Sequence, residues 1–517
     1  MKLVLFFVLA IVACAAPALA VDRSVGASVP KPQASGAPWS EAEVSSLAAN
    51  LDAMLAGAKA VRGAHVGIHA VDARDGRVLY SRNADDAFQP ASTFKLLVGS
   101  AALDKLGPDW RARTTLTAHG PVDAQGRLDG ALVLRGGGDP LLRASDLGAA
   151  AAAVAAAGIK LLAGPFVIDD SRFDQQRYGN GWSVDDLPFY YAPVVAATTL
   201  EDGVVHLTIA PGAAVGAPGT LSWAPRAGAD ESAPPACPPA SDDAHLVNAV
   251  VTGAAGAADT VDVERGPCGV IRVTGTIPLG AKPDQVDAAV PSPERYVQRV
   301  FAAALQAHGI ALPLAVDRPL HGAPVVTTPY SRAGERVLWS HDSEPLRDLL
   351  ADLWLPSDNL IAESLLKQLA VASAGAPGSD EKGTAFEQTW LKGLGVDTDL
   401  LALEDGSGLS SYDRVTPRAL VTILAHDWNG PYRELVLDDL PIAGVRGTLA
   451  SSYVGTAAEK RVFAKTGSLS HVSTLAGYVA TRAHGTVIMA FQVDDWVGAP
   501  GPLRELRGRM LSRLVEE

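Results

Sequence analysis

The 517-residue chain is poor in several things, and each shortage closes off a reading. Basic residues are outnumbered, 43 Lys plus Arg against 57 Asp plus Glu, giving a formal charge of −14 at pH 7. A nucleic-acid binder normally neutralises phosphates with a basic surface, so that class is disfavoured. Only three cysteines occur, and without a histidine pair nearby they make a poor zinc site. Beyond the first twenty residues no stretch offers the roughly 20 apolar positions of a membrane helix. No internal repeat of fixed period is visible either. What remains is ordinary: 48% hydrophobic and 19% charged residues exclude disorder throughout, and the length predicts two or three domains.

Met1-Lys2 is followed by an apolar run from Leu3 to Ala13 and then Pro17-Ala18-Leu19-Ala20. One positive charge, a short hydrophobic stretch and an A-x-A end predict a secretory signal peptide, residues 1–20, cleaved after Ala20. Ile11-Val12-Ala13-Cys14 loosely resembles a lipoprotein box, which would instead leave Cys14 lipidated. Export to a bacterial periplasm is the working expectation. In such a compartment Cys237 and Cys268 are expected to form a disulfide, with two unpaired thiols the alternative. Closing that loop would stabilise the fold by about 3–4 kcal/mol in the chain-entropy picture.

Residues 21–38 read as a flexible leader. Ser40 then caps a helical pattern through Val44, Leu47, Leu51, Met54 and Leu55, with Glu43 at the capping-box position. Two β-prone runs, His65 to Val71 and Val78 to Tyr80, flank Asp75-Gly76 and predict a hairpin. The other end mirrors this: Thr474 to Ala480 and Thr486 to Val493 read as strands. A terminal helix follows, with Leu503, Leu506, Met510, Leu511 and Leu514 at helical spacing. Packing on a sheet is the favoured role for that stripe, over contact with a membrane surface. The middle differs in texture: an Ala-rich helix headed by Ser145, short strands at 164–169, 204–209 and 270–274, and an exposed loop at 224–243.

Three short motifs bear on chemistry. Ser92-Thr93-Phe94-Lys95 is an S-x-x-K at a helix start, where a three-residue step puts Ser92 and Lys95 on one side. A serine hydroxyl needs a base within hydrogen-bond reach, and a lysine serves only when burial lowers its pKa. Ser357-Asp358-Asn359 opens a second helix, where a plain N-cap would explain it equally. Lys465-Thr466-Gly467 lies in a strand-like run, Val462 to Ser468, and alone is a lysine and a glycine on an edge strand. Each is weak evidence singly.

In this order the set resembles the signature of penicillin-binding proteins and class A β-lactamases. Further segments are similar to one branch, the class C low-molecular-mass penicillin-binding proteins, or D-alanyl-D-alanine carboxypeptidase/endopeptidases. They are Arg135 to Pro140, Ile168 to Phe173, Val273-Thr274-Gly275, Asp405-Gly406-Ser407-Gly408-Leu409-Ser410, Gly444 to Leu449 and Leu475 to Val479. Ala197 to Asp202 fits that branch only roughly. The 265 residues between Ser92 and Ser357 suit this branch's inserted domains and exceed the gap of a class A β-lactamase.

The resemblance implies an α+β fold: a penicillin-recognising serine transpeptidase/β-lactamase-like domain, an antiparallel sheet flanked by helices, with a long β-rich insert between the first two motifs. The catalytic domain is expected at 39–115 and 286–517, the insert at 116–285. It implies a nucleophile at Ser92, a base at Lys95, a proton relay at Ser357, and substrate contacts from Asn359, Lys465, Thr466 and Gly467. The backbone N–H groups of Ser92 and Ser468 would form an oxyanion hole. Lys465 is expected to carry positive charge and, by repulsion, to lower the pKa of Lys95. The implied substrates are peptidoglycan stem peptides, with β-lactam antibiotics acylating Ser92; no metal or organic cofactor is called for. A β-lactamase or D-amino-acid esterase/amidase on the same scaffold, and a non-catalytic wall-binding protein, are the rival readings. Glu363 is expected to be exposed or salt-bridged, His426-Asp427 to be a helix-end pair, and Asp169-Asp170 to point to opposite faces.

Overall fold

Ser40 and Glu43 open the first helix as a reciprocal pair. The Ser40 side chain accepts from the Glu43 N–H, while Glu43 accepts from the Ser40 N–H at 2.7 Å, and the helix Glu41–Gly57 follows. The computed structural model describes residues 29–224, 246–265, 270–312 and 325–517. The expected signal peptide, Cys14, Cys237, Cys268 and most of the 224–243 loop lie outside the described residues.

The chain's two ends build one five-stranded antiparallel sheet. Its order is Val462–Leu469, Val472–Ala480, Thr486–Asp494, His65–Asp72, Val78–Arg82, so the first hairpin pairs with the last strand. Alternate residues of a strand point to opposite faces, and this sheet is buried on both. Ile488 and Ala490 face one core with Phe463 and Tyr478. Val487, Met489, Phe491 and Val493 face a second. The first core is closed by helices Lys95–Leu106, Leu346–Trp354, Asn359–Ala374 and Pro417–Asn429. Helix Glu41–Gly57 and terminal helix Pro500–Glu516 cover the other face. All five apolar stripe residues of the terminal helix are buried there, each contributing about 1.5–3 kcal/mol.

Between motifs one and two the chain makes a second, mixed sheet ordered Val325–Val326, Phe166–Asp169, Leu132–Arg135, Arg113–His119, Glu335–Asp342. Helices Ala144–Ala156 and Pro293–Ala307 share its core, with the smaller sheet Asp284–Ala289, Val204–Ala210, Thr220–Ala224 beside it. Arg113–His119 pairs with Glu335–Asp342, so this sheet takes in a strand from beyond the expected 116–285 insert. Among the described residues no helix is long and apolar enough to cross a membrane.

The insert docks on the catalytic part through polar groups. Buried Lys367 pairs with Asp174 at 2.7 Å and Asp380 at 2.8 Å. Beside it Arg172 donates to Gln368, whose amide in turn donates to the Gly137 carbonyl. Asp169 and Asp170 are both fully buried. Asp169 accepts from Arg135 and Asp170 from Arg177, so the neighbours do turn to different partners.

Candidate active site

Ser92 sits in a 3₁₀ turn, Ala91–Phe94, that runs directly into helix Lys95–Leu106. Two features fix the turn. Ala91 holds a left-handed φ of 45°. Gly408, itself at φ 76°, passes so close that a Cβ there would lie 2.0 Å from the Ala91 carbonyl oxygen. Backbone N–H groups at the start of such a turn have no partner within it.

Lys95 is fully buried, and its Nζ has three oxygen neighbours. These are Ser92 Oγ at 3.1 Å, Asn359 Oδ1 at 2.5 Å and the Ser407 carbonyl at 2.8 Å. Trp354 Nε1 donates to the Lys95 carbonyl and pins the backbone. Burial lowers the ammonium pKa to about 8, while the nearby Asp405, Glu363 and Asp358 carboxylates hold it from falling further.

The second motif turns sharply before its helix. Ser357 has φ 73°, a strained conformation for a residue with a Cβ, costing about 1–3 kcal/mol. Asp358 then caps the helix by accepting from the Ile361 N–H at 2.8 Å, and burial pushes its carboxyl up to about 7. Asn359 is the first helical residue. Its Nδ2 donates to the Tyr191 carbonyl of the insert at 2.6 Å, which leaves Oδ1 facing Lys95.

Lys465 extends from the edge strand Val462–Leu469 and is fully buried. It donates to Ser357 Oγ at 2.8 Å and to the Thr466 carbonyl at 2.9 Å. Burial, and then Lys95, lower its pKa well below the ordinary range. Desolvation is the leading cause for both lysines, and their mutual repulsion acts in the same direction. Thr466 Oγ1 donates to Thr448 Oγ1 at 2.7 Å. Gly467 abuts the Ser92 turn. On this edge Ala464 donates outward to the Pro441 carbonyl, so Ser468, four residues on, presents its N–H to the same edge.

Thus Ser92, Lys95, Ser357, Asn359, Lys465 and Gly467 converge, drawn from two helix starts and one strand. Glu363 departs from expectation. It is neither exposed nor ion-paired but fully buried, accepting from the Gly406 and Ser407 N–H groups at 3.0 and 2.9 Å. Burial and Asp405 push its carboxyl well above the usual range. Asp405 is also buried, accepting from the N–H groups of Ser407, Gly408 and Ser410 and from Trp182 Nε1. The Tyr191 and Ser407 carbonyls went unassigned in the sequence, since backbone acceptors leave no compositional trace. His426 bonds Asp104 at 2.8 Å, whereas Asp427 is buried against Ser100, so the two form no pair with each other. Among the described residues no His/Cys/Asp/Glu group is arranged to hold a metal ion.

A family model described as D-Ala-D-Ala carboxypeptidase 3 (S13) family matches residues 47–508. The chain is 36% identical over 468 residues to a D-alanyl-D-alanine carboxypeptidase of Actinomadura sp. (strain R39), covering 88% of this chain and 81% of that one. It is 27% identical to D-alanyl-D-alanine carboxypeptidase DacB of Haemophilus influenzae, over 84% of this chain and 86% of that one. A crystal structure of penicillin binding protein 4 (dacB) from Haemophilus influenzae matches with a TM-score of 0.76 at 24% identity. That match covers 90% of this chain and 100% of that one. A structure of the same protein complexed with a novel β-lactam gives 0.71 at 22% identity, over the same shares. These structural matches establish the α+β fold expected from the motifs.

Proposed function

The chain belongs to the D-Ala-D-Ala carboxypeptidase 3 (S13) family of serine peptidases, and on that premise we propose how its residues divide the work. Ser92 Oγ attacks the carbonyl between two D-alanine residues of a peptidoglycan stem peptide. Its proton passes to Lys95 Nζ, 3.1 Å away. The oxyanion faces the N–H groups of Ser92 and Ser468, each such donor being worth about 2.7–4 kcal/mol. Collapse breaks the C–N bond; the leaving amine takes a proton from Ser357 Oγ, which Lys465 can replenish across 2.8 Å. Water then attacks the acyl carbonyl, its proton passing back through Ser357 to Lys465. Lys95 returns to Ser92 Oγ the proton it took, so that the acyl–oxygen bond breaks and both lysines are restored.

The observation that carries this reading is the state of Lys95: buried, with a pKa near 8, and in contact with the hydroxyl it must deprotonate. A general base works best when its pKa lies near the operating pH. Asn359, Lys465, Thr466 and Gly467 are assigned to the substrate, with Thr466 donating to its terminal carboxylate. That anion would also favour the charged form of Lys465. β-Lactams are assigned as substrate mimics that acylate Ser92, and the site of action as the exported, periplasmic compartment.

A class A β-lactamase uses a free carboxylate to activate the deacylating water. Both Glu363 oxygens accept backbone N–H groups, those of Gly406 and Ser407, which favours the peptidase. The test is to incubate the enzyme with pentapeptide monomers and with cross-linked muropeptide dimers. D-alanine release measures carboxypeptidase activity and dimer loss endopeptidase activity, while penicillin should leave a long-lived adduct on Ser92. Neither reaction, or labelling that survives Ser92→Ala, overturns the assignment.

A further inference from the structure

We infer that buried Glu363 is a positioning residue for Lys95, acting with Asp405 through the 405–408 loop to aim the Ser407 carbonyl. This rests on the assignment of Lys95 as the base. A neutral lysine has two N–H donors and one lone pair, so to accept the Ser92 proton the lone pair must face Ser92 Oγ. Both N–H groups must then be drawn elsewhere, by atoms that only accept. Asn359 Oδ1 and the Ser407 carbonyl are two such atoms, at 2.5 and 2.8 Å.

Each has an outer anchor. Asn359 is kept from flipping by its bond to the Tyr191 carbonyl. The Ser407 carbonyl belongs to the peptide whose N–H is that of Gly408, and this N–H is held by Asp405 Oδ1 at 2.7 Å. Since the N–H and C=O of a trans peptide point in opposite directions, that bond turns the carbonyl away from Asp405 and toward Lys95. The preceding peptide is fixed by Glu363, which takes the Gly406 and Ser407 N–H groups on its two oxygens.

The loop has no room to drift. A Cβ on Gly406 would lie 2.7 Å from the Ala362 carbonyl, and one on Gly408 2.0 Å from that of Ala91. Asn359 and Glu363 stand four residues apart on one helix, so a single face grips Lys95 directly and through the loop. The charged groups around Lys95 are the carboxylates of Asp358, Glu363 and Asp405 and the Lys465 side chain. Three more buried carboxyl groups, Asp380, Glu387 and Asp413, act on Glu363 or Asp405.

Glu363→Gln tests this, because it keeps the shape but replaces one acceptor oxygen with an NH₂ that opposes a backbone N–H. The readouts are the rate constant for acylation by a fluorescent penicillin from pH 5 to 10, the labelled fraction at saturation, and the melting temperature. The expected result is a plateau rate at least tenfold lower and an acid limb displaced to lower pH, with the labelled fraction unchanged. The limb moves down because the Ser407 carbonyl, no longer aimed at Lys95, stabilises its ammonium form less. Should the Gln variant not fold, Glu363→Asp, which withdraws the carboxylate by one methylene, is expected to give the lower plateau. Unchanged rate and limb, or a loss confined to the labelled fraction, overturns the inference. Wild-type enzyme that is not acylated at all, or acylation surviving Ser92→Ala, overturns the underlying assignment instead.

Discussion

Gly467 and Ser92 meet where no side chain fits: a Cβ on Gly467 would lie 2.8 Å from the Ser92 nitrogen and 2.3 Å from Thr474 Oγ1. The Thr474 hydroxyl cannot retreat freely, since it donates to the Pro90 carbonyl at 2.8 Å, just ahead of the nucleophile. Gly467→Ala should therefore displace the Ser92 N–H while leaving the sheet intact. The expected loss in penicillin acylation is about 100-fold, the scale of one lost oxyanion donor. Melting temperature and acylation rate, measured together, check it.

The pH profile follows from Lys95. Only the neutral amine can take the Ser92 proton, and burial places its pKa at about 8. Acylation should rise with pH along a limb centred near 8, and a limb centred below 6 would contradict the assignment of the base. Pre-steady-state penicillin labelling reads this without interference from product release.

Lys367 gives a test of stability. It is buried between Asp174 of the insert and Asp380 of helix Asp380–Gly393. Lys367→Met strands both carboxylates without a cation, an arrangement that typically costs about 3–5 kcal/mol. Denaturant unfolding should register that loss, and a double variant with Asp380→Asn should recover part of it.

Asp427 predicts a pH dependence of the opposite kind. It is fully buried, bonded to Ser100 at 2.7 Å, and burial pushes its carboxyl up to about 8. The folded state therefore holds this proton more tightly than the unfolded chain, whose carboxyl titrates near 4. That contribution is complete below about pH 4 and drains away as pH rises through 8. Asp427→Asn should flatten the decline in melting temperature between pH 5 and 9.

The pattern of legibility follows from range. Ser40 with Glu43, the Asp75-Gly76 turn and the stripe from Leu503 to Leu514 were readable because each is settled by neighbours a few residues away. The three motifs were readable as local signatures whose order matched a family. Glu363 was misjudged because spacing put it on the face of Asn359 but could not say that residues 405–408 lie against that face. How deeply Lys95 and Lys465 are buried was not legible, because that burial arises only on assembly. The pairing of Glu335–Asp342 with the insert's sheet was not legible, because that strand is largely polar and half-exposed and its partner lies more than 200 residues upstream.

The hairpin at 65–82 finds its neighbour only in the strand that ends at Asp494. A nascent polypeptide halted before Lys465 would have a nucleophile turn but no third motif, and one halted before Thr486 would leave the N-terminal hairpin with a bare flank. Assembly of the site is thus withheld until strand Thr486–Asp494 has been made, and removing residues 468–517 would undo it.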